Sequence, residues 1–297
     1  MTPEAQLVLK QAVTRKDLLH RLSEGGSHIR RQPLKTRIVD TISDIFIADI
    51  EVHGIENLNK ATNLLDRGDE LTVIGNHSSD GDPALRRAAF TRVGYKAFAD
   101  RLIWVAGLSM MERWYTRVFM GCDEAVLVVT PFDLRRIRGV LENEVGFTPE
   151  EEGLVKNYEQ SAHQVNKSAN RTASARRRDG FAVSIFPEST RSRNNGLLQE
   201  AQRETAIFFP RGYVLPVAAV GIREIVPVNG SFHLKRANAR VDIGEPVPAA
   251  EIWKKSVRFF NGGRHNPAEV AMAYVGVLNP DIIPEGKKTY YKQLLAT

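Results

Sequence analysis

The chain has 297 residues, 42% apolar and 26% charged, which fits a globular protein with a sizeable core. Its net charge of +6 favours anionic partners such as phosphate-bearing substrates, acidic carrier proteins or lipid headgroups. Cys122 is the only cysteine, which excludes an internal disulfide and a cysteine zinc cluster.

The first fifty residues read as helical. Thr2 and Pro3 open one helix, and Gly25-Gly26 closes it. A second helical pattern sets Ile38, Ile42, Ile45 and Phe46 on one face, expected to pack on the core. The start of the chain lacks the basic and apolar pattern of a secretory signal. No apolar run approaches the ~20 residues needed to span a bilayer. The chain therefore reads as cytoplasmic, at most peripheral to a membrane.

From residue 71 the pattern changes to short β-rich runs at 71–75, 103–106, 125–129, 181–186, 214–220 and 239–243. Helical stretches are expected between them at 83–93, 150–178 and 197–208. Continuous apolar strands alternating with helices predict an α/β fold: a mixed, largely buried sheet flanked by helices. The expected division is an N-terminal helical region over residues 1–55 and an α/β domain over 56–297.

Two segments carry the chemistry. His77 follows an apolar run at the C-terminal end of an expected strand, where α/β sheets place their sites. Asp82 follows His77 with four residues between them, just before Pro83. On a continuous helix, residues five apart point about 140° from each other, but a turn through Gly81 lets Asp82 fold back towards the ring. A carboxylate on one ring nitrogen leaves the other as a proton acceptor. Two alternatives stand beside this: Asp82 as a helix cap only, or a metal site of His77, Asp80 and Asp82. The metal site lacks a second histidine nearby and is a weak zinc signature. The second segment runs from a strand into Phe186-Pro187, then places Glu188, Arg191 and Arg193 on a loop. Guanidinium forks there suit a phosphate or carboxylate.

Taken together, the segments resemble the glycerolipid acyltransferase family, which includes glycerol-3-phosphate and 1-acylglycerol-3-phosphate acyltransferases. Four ordered blocks carry the resemblance: His77 with Asp82; Gly107 with Arg113; Phe186-Pro187-Glu188-Ser189-Thr190-Arg191-Ser192; and the apolar run around Pro216. Ser189 stands where the family has glycine.

The resemblance implies that His77 deprotonates an acceptor hydroxyl, which attacks the thioester of an acyl-CoA or acyl-carrier protein. Asp82 would orient the ring. Arg113, Arg191 and Arg193 would hold the phosphate of a glycerol-phosphate acceptor, and Glu188 would bind an acceptor hydroxyl or orient those arginines. No cofactor or metal is implied, and no covalent acyl-enzyme is needed. The absence of a Gly-x-Ser-x-Gly elbow agrees with direct attack. The insertion over 131–179 and the N-terminal helices look like enzymes using glycerol 3-phosphate. The third block looks more like those using 1-acylglycerol 3-phosphate.

A competing reading is a non-catalytic protein that binds anionic membrane or nucleic acid through Arg135-Arg136-Ile137-Arg138 and Arg176-Arg177-Arg178. These clusters have no interleaved aromatics, which weighs against single-stranded nucleic acid as a partner.

Overall fold

A computed structural model describes the chain except for residues 27, 112–115, 119–120, 144–146, 190–191, 193–195, 210, 227–233 and 261–265. The described strands are β1 (His28–Ile29), β2 (Ile47–His53), β3 (Leu71–Gly75), β4 (Leu102–Gly107), β5 (Glu124–Val128), β6 (Ala182–Ile185), β7 (Tyr213–Val220), β8 (Ala237–Ile243) and β9 (Val247–Pro248). They form one mixed sheet in the order β1-β5-β4-β6-β3-β7-β8-β2, with β9 paired to β7. The central strands β5, β4, β6, β3 and β7 run parallel. β8 turns antiparallel to β7, and β1 pairs antiparallel with β5.

Each central strand feeds two cores, because successive side chains point to opposite faces. Leu71 and Val73 of β3 and Leu215, Val217 and Ala219 of β7 enter one cluster. Ile74 of β3 and Val214 and Ala218 of β7 enter the other. This double burial is why the strands are legible as nearly continuous apolar runs.

Nine longer helices cover these faces among the described residues: α1 (Pro3–Arg21), α2 (Pro33–Phe46), α3 (Ile55–Asp66), α4 (Asp82–Arg92), α5 (Pro131–Asn143), α6 (Pro149–Arg178), α7 (Ala249–Phe260), α8 (Pro267–Leu278) and α9 (Lys288–Ala296). α6 starts on a capping box, in which the Thr148 hydroxyl accepts from Glu151 N–H and the Glu151 carboxylate accepts from Thr148 N–H. At 30 residues it runs about 45 Å. α1 lies along it, with Arg15 donating to the Tyr158 hydroxyl at 3.0 Å.

Three expectations need correction. The helical reading of the first fifty residues stops at Phe46, and residues 47–53 form β2, which pairs in parallel with β8. On α2 the fully buried side is Thr36, Val39 and Ser43; of the expected face, Phe46 is half-buried against the core and Ile42 is half-buried, while Ile38 and Ile45 are exposed. The Thr36 hydroxyl donates to Cys122 O at 2.6 Å, which turns the helix this way. Residues 197–208 are not an α-helix; only Arg203–Phe208 form a 3₁₀ turn. The amides before it are drawn to tertiary acceptors: Leu198 N–H to Ile282 O, Gln199 N–H to Glu188, Ala201 N–H to Glu269 and Gln202 N–H to Pro187 O. Amides used in this way cannot close a helical ladder.

Candidate active site

The site is built where β3 ends. Past Gly75, the buried Asn76 side chain accepts from Ala219 N–H at 2.8 Å and donates to Ala219 O at 2.7 Å. That clasp to β7 fixes the point where the chain leaves the sheet. His77 comes next, and its Nδ1–H donates to Asp82 Oδ2 at 2.9 Å. The same carboxylate oxygen accepts from Ser78 N–H at 2.7 Å and Ser79 N–H at 2.9 Å, while Oδ1 accepts from the Ser78 hydroxyl at 2.8 Å.

Asp82 is the first residue of α4 rather than its cap, and Gly81 precedes the helix. Its carboxylate serves the loop amides and the histidine, so the cap-only alternative fails. The metal-site alternative loses Asp82 as a free ligand, since both its oxygens face N–H and O–H donors. Gly81 is required by space: a Cβ there would lie 2.9 Å from Val226 Cγ2.

The hydrogen bond at Nδ1 assigns the proton there and leaves Nε2 as the acceptor. The ring stacks on Phe186 with centroids 4.2 Å apart, and Phe186 stacks on Trp104 at 5.6 Å. The first and third sequence blocks therefore meet directly. His77 N–H donates to Glu188 Oε1 at 2.8 Å, and Ser192 N–H donates to His77 O at 2.7 Å. Glu188 Oε2 accepts from Gln199 N–H at 2.8 Å. Burial pushes the Glu188 carboxyl up to about 8, against the pull of its two backbone donors. With each oxygen holding a backbone amide and the side chain buried, Glu188 has the geometry of a strut between His77 and the 188–199 loop.

Ser189 has φ 57, the left-handed region that favours glycine. This turn needs the glycine-type backbone, which accounts for the residue the family prefers at the position. Arg113, Arg191 and Arg193 lie outside the described residues. Pro216 sits within β7 opposite Ile74 and is buried in the sheet.

Arg86 escaped the sequence reading, although it stands one helical turn after Asp82. It is fully buried, with its guanidinium 4.6 Å over the Phe186 ring and 5.8 Å from Trp104. Nη2 donates to Asn76 O at 3.0 Å, while Nε and Nη1 have no hydrogen-bond partner among the described residues. Burial lowers its pKa to about 10, opposed by the charges of Asp82 and Glu188. Gly75 makes room for it: a Cβ there would lie 2.0 Å from Nη2. The signal in the sequence was a glycine ending a strand and an arginine four residues beyond the aspartate.

In front of the histidine lies a cleft of about 560 Å³. His77, Asp80 and Ser189 line it together with Trp104, Ala106, Val128, Ile185, Phe186 and Phe208. Gly107, at the end of β4, also faces it. A largely apolar wall beside a polarised histidine suits an acyl chain next to a reacting hydroxyl.

The fold and this site define an α/β protein with a histidine–aspartate pair opening onto an apolar cleft. A family model described as Acyltransferase matches residues 49–228. The chain belongs to that acyltransferase family. The crystal structure of the 1-acyl-sn-glycerophosphate (LPA) acyltransferase PlsC from Thermotoga maritima is similar over 99% of this chain and 95% of that one, with 16% identity and a TM-score of 0.43. No curated protein matches the chain. Among the described residues, no helix is long and apolar enough to cross a membrane.

Proposed function

We propose that the protein moves a fatty acyl group from an acyl-CoA or acyl-carrier-protein thioester to a hydroxyl of glycerol 3-phosphate or 1-acylglycerol 3-phosphate. The observation that carries this reading is the 2.9 Å His77–Asp82 bond at the edge of an apolar cleft of about 560 Å³. His77 Nε2 takes the hydroxyl proton as the oxygen attacks the thioester carbonyl. The tetrahedral intermediate collapses by breaking the C–S bond, and the imidazolium returns the proton to the departing thiolate. Asp82 stabilises the imidazolium while it exists.

Cys122 is fully buried and its thiol is pushed up, chiefly by burial, so it does not serve as a nucleophile in this scheme. Arg113, Arg191 and Arg193 are assigned to the acceptor phosphate through the family blocks. Glu188 is assigned to holding His77 and the loop rather than to touching the acceptor.

The anion-binding alternative loses much of its support. Arg176 is committed to Glu124 and Asp179, Arg177 is buried and donates to the Thr72 hydroxyl, and Arg136 is bonded to Gln11 and Asp133. The test is to incubate purified protein with palmitoyl-CoA and either glycerol 3-phosphate or its 1-acyl derivative, following thiol release. Acceptor-dependent release with one of the two supports the reading; release with neither overturns it.

A further inference from the structure

The cleft has a second charged region that the acyl-transfer scheme does not use. α5 leaves β5 directly and carries Arg135 and Arg138 along the cleft, and α6 brings Lys167 to the same wall. The position of α6 is fixed locally. The Asn166 side chain accepts from Val129 N–H at 2.8 Å and donates to Val129 O at 2.9 Å, which clamps the helix to the end of β5. Lys167 follows immediately.

The sheet order places β5 three strands from β3. At ~4.8 Å per strand, the ends that carry Thr130 and His77 are about 14 Å apart. A glycerol phosphate bears its phosphate only a few bonds from the hydroxyl that reacts, so its anion must sit close to His77. Arg138 and Lys167, based at the β5 end, are better placed for an anion held further from the reacting hydroxyl. A thioester donor is different: its phosphates lie at the far end of a long pantetheine arm.

We infer that Arg135, Arg138 and Lys167 form a binding site for the phosphates of a pantetheine-armed thioester donor, with the acyl chain in the apolar part of the cleft. This assignment rests on the acyl-transfer reading of His77. The present partners of these cations are replaceable. Arg138 meets Glu159 at 3.2 Å and Arg135 meets Glu204 at 3.5 Å, while Arg135 also donates to Gln202. Both arginine side chains are more than half exposed, at 52% and 56%. Exposed pairs of this kind contribute little, and a phosphate competes well for a guanidinium fork. Lys167 has no ion pair among the described residues. His163, one turn earlier on α6, faces Glu159 at 3.8 Å.

The experiment compares wild type with the Arg135→Gln/Arg138→Gln/Lys167→Gln triple variant. Both are assayed on palmitoyl-CoA, palmitoyl-carrier protein and palmitoyl-pantetheine, which lacks phosphate. The expected result is a KM for palmitoyl-CoA, alone or together with palmitoyl-carrier protein, raised about tenfold or more, shrinking as salt rises. The KM for palmitoyl-pantetheine should stay within about twofold on the same scale. A shift confined to palmitoyl-CoA assigns the site to the nucleotide phosphates. A shift with both phosphate donors assigns it to the phosphate of the arm, whereas a shift confined to the carrier protein assigns the cations to that protein's acidic surface and overturns the phosphate site.

Unchanged KM values for both phosphate donors, or an equal rise for palmitoyl-pantetheine, overturn the assignment while leaving acyl transfer standing. Wild type that transfers from none of the three donors overturns the acyl-transfer reading itself, and the phosphate site with it.

Discussion

Replacing Asp82 separates its charge from its hydrogen bonds. Its carboxylate accepts four bonds, two of them from the backbone amides of Ser78 and Ser79. Asp82→Asn can place its amide oxygen where Oδ2 stands, keeping the two amides and the histidine satisfied, and the Ser78 hydroxyl can reverse to accept from the new NH₂. The fold should then lose only about 1 kcal/mol. The negative charge that stabilises the imidazolium is gone, so kcat should fall by about a hundredfold or more. Asp82→Ala leaves two buried amides and a hydroxyl without acceptors. At about 1–3 kcal/mol for each unsatisfied group, with some relief from water entering the cleft, it should cost roughly 2–4 kcal/mol in stability. Denaturant titration and steady-state kinetics on the two variants measure both effects. Wild-type turnover in Asp82→Asn would refute the electrostatic role, and wild-type stability in Asp82→Ala would refute the bonding role.

Two further outcomes follow from the same geometry. The folded protein keeps a proton on Glu188 up to about 8, whereas the unfolded chain releases it near the ordinary value of 4.5. More protons bound in the folded state means stability falls as pH rises through that window. The difference in unfolding free energy between wild type and Glu188→Gln should therefore drop by roughly a few kcal/mol from pH 5 to 8; parallel curves would contradict it. At Ser189, the positive φ makes glycine acceptable and a β-branched residue costly. Ser189→Gly should melt within a few degrees of wild type and remain active. Ser189→Val should lose about 1–2 kcal/mol, and equal stability of the two would show that the turn does not need this backbone.

The sequence disclosed the parts of the fold whose burial is written locally. β3, β6 and β7 are nearly continuous apolar runs, broken only by the buried Thr72 and Ser184, because helices cover both faces of the sheet. β2 was hidden because its alternating Ile-Ala-Asp-Ile-Glu-Val-His segment continues directly from α2, and its partner β8 lies far along the chain. Residues 197–208 have helical composition, yet their amides are captured by Pro187, Glu188, Glu269 and Ile282, partners that local periodicity cannot reveal.

The candidate site shows the same division. His77, Asp82 and Glu188 were visible as residue types at strand ends, and the structure brings all three together. Arg86 was not visible, because an arginine on a helix reads as a solvated charge until the fold buries it beneath Phe186. The basic run at Arg135–Arg138 was visible as charge. Only the fold shows that two of its members, Arg135 and Arg138, share a cleft with His77.

In the proposed reaction His77 is the base for acyl transfer. The most direct test of this role is thiol release from palmitoyl-CoA by purified His77→Ala, in the presence of whichever glycerol-phosphate acceptor supports the wild type. A variant that still melts cooperatively while its acceptor-dependent rate falls by about a thousandfold or more is the predicted result. Acceptor-dependent transfer near the wild-type rate in a folded His77→Ala protein would contradict it.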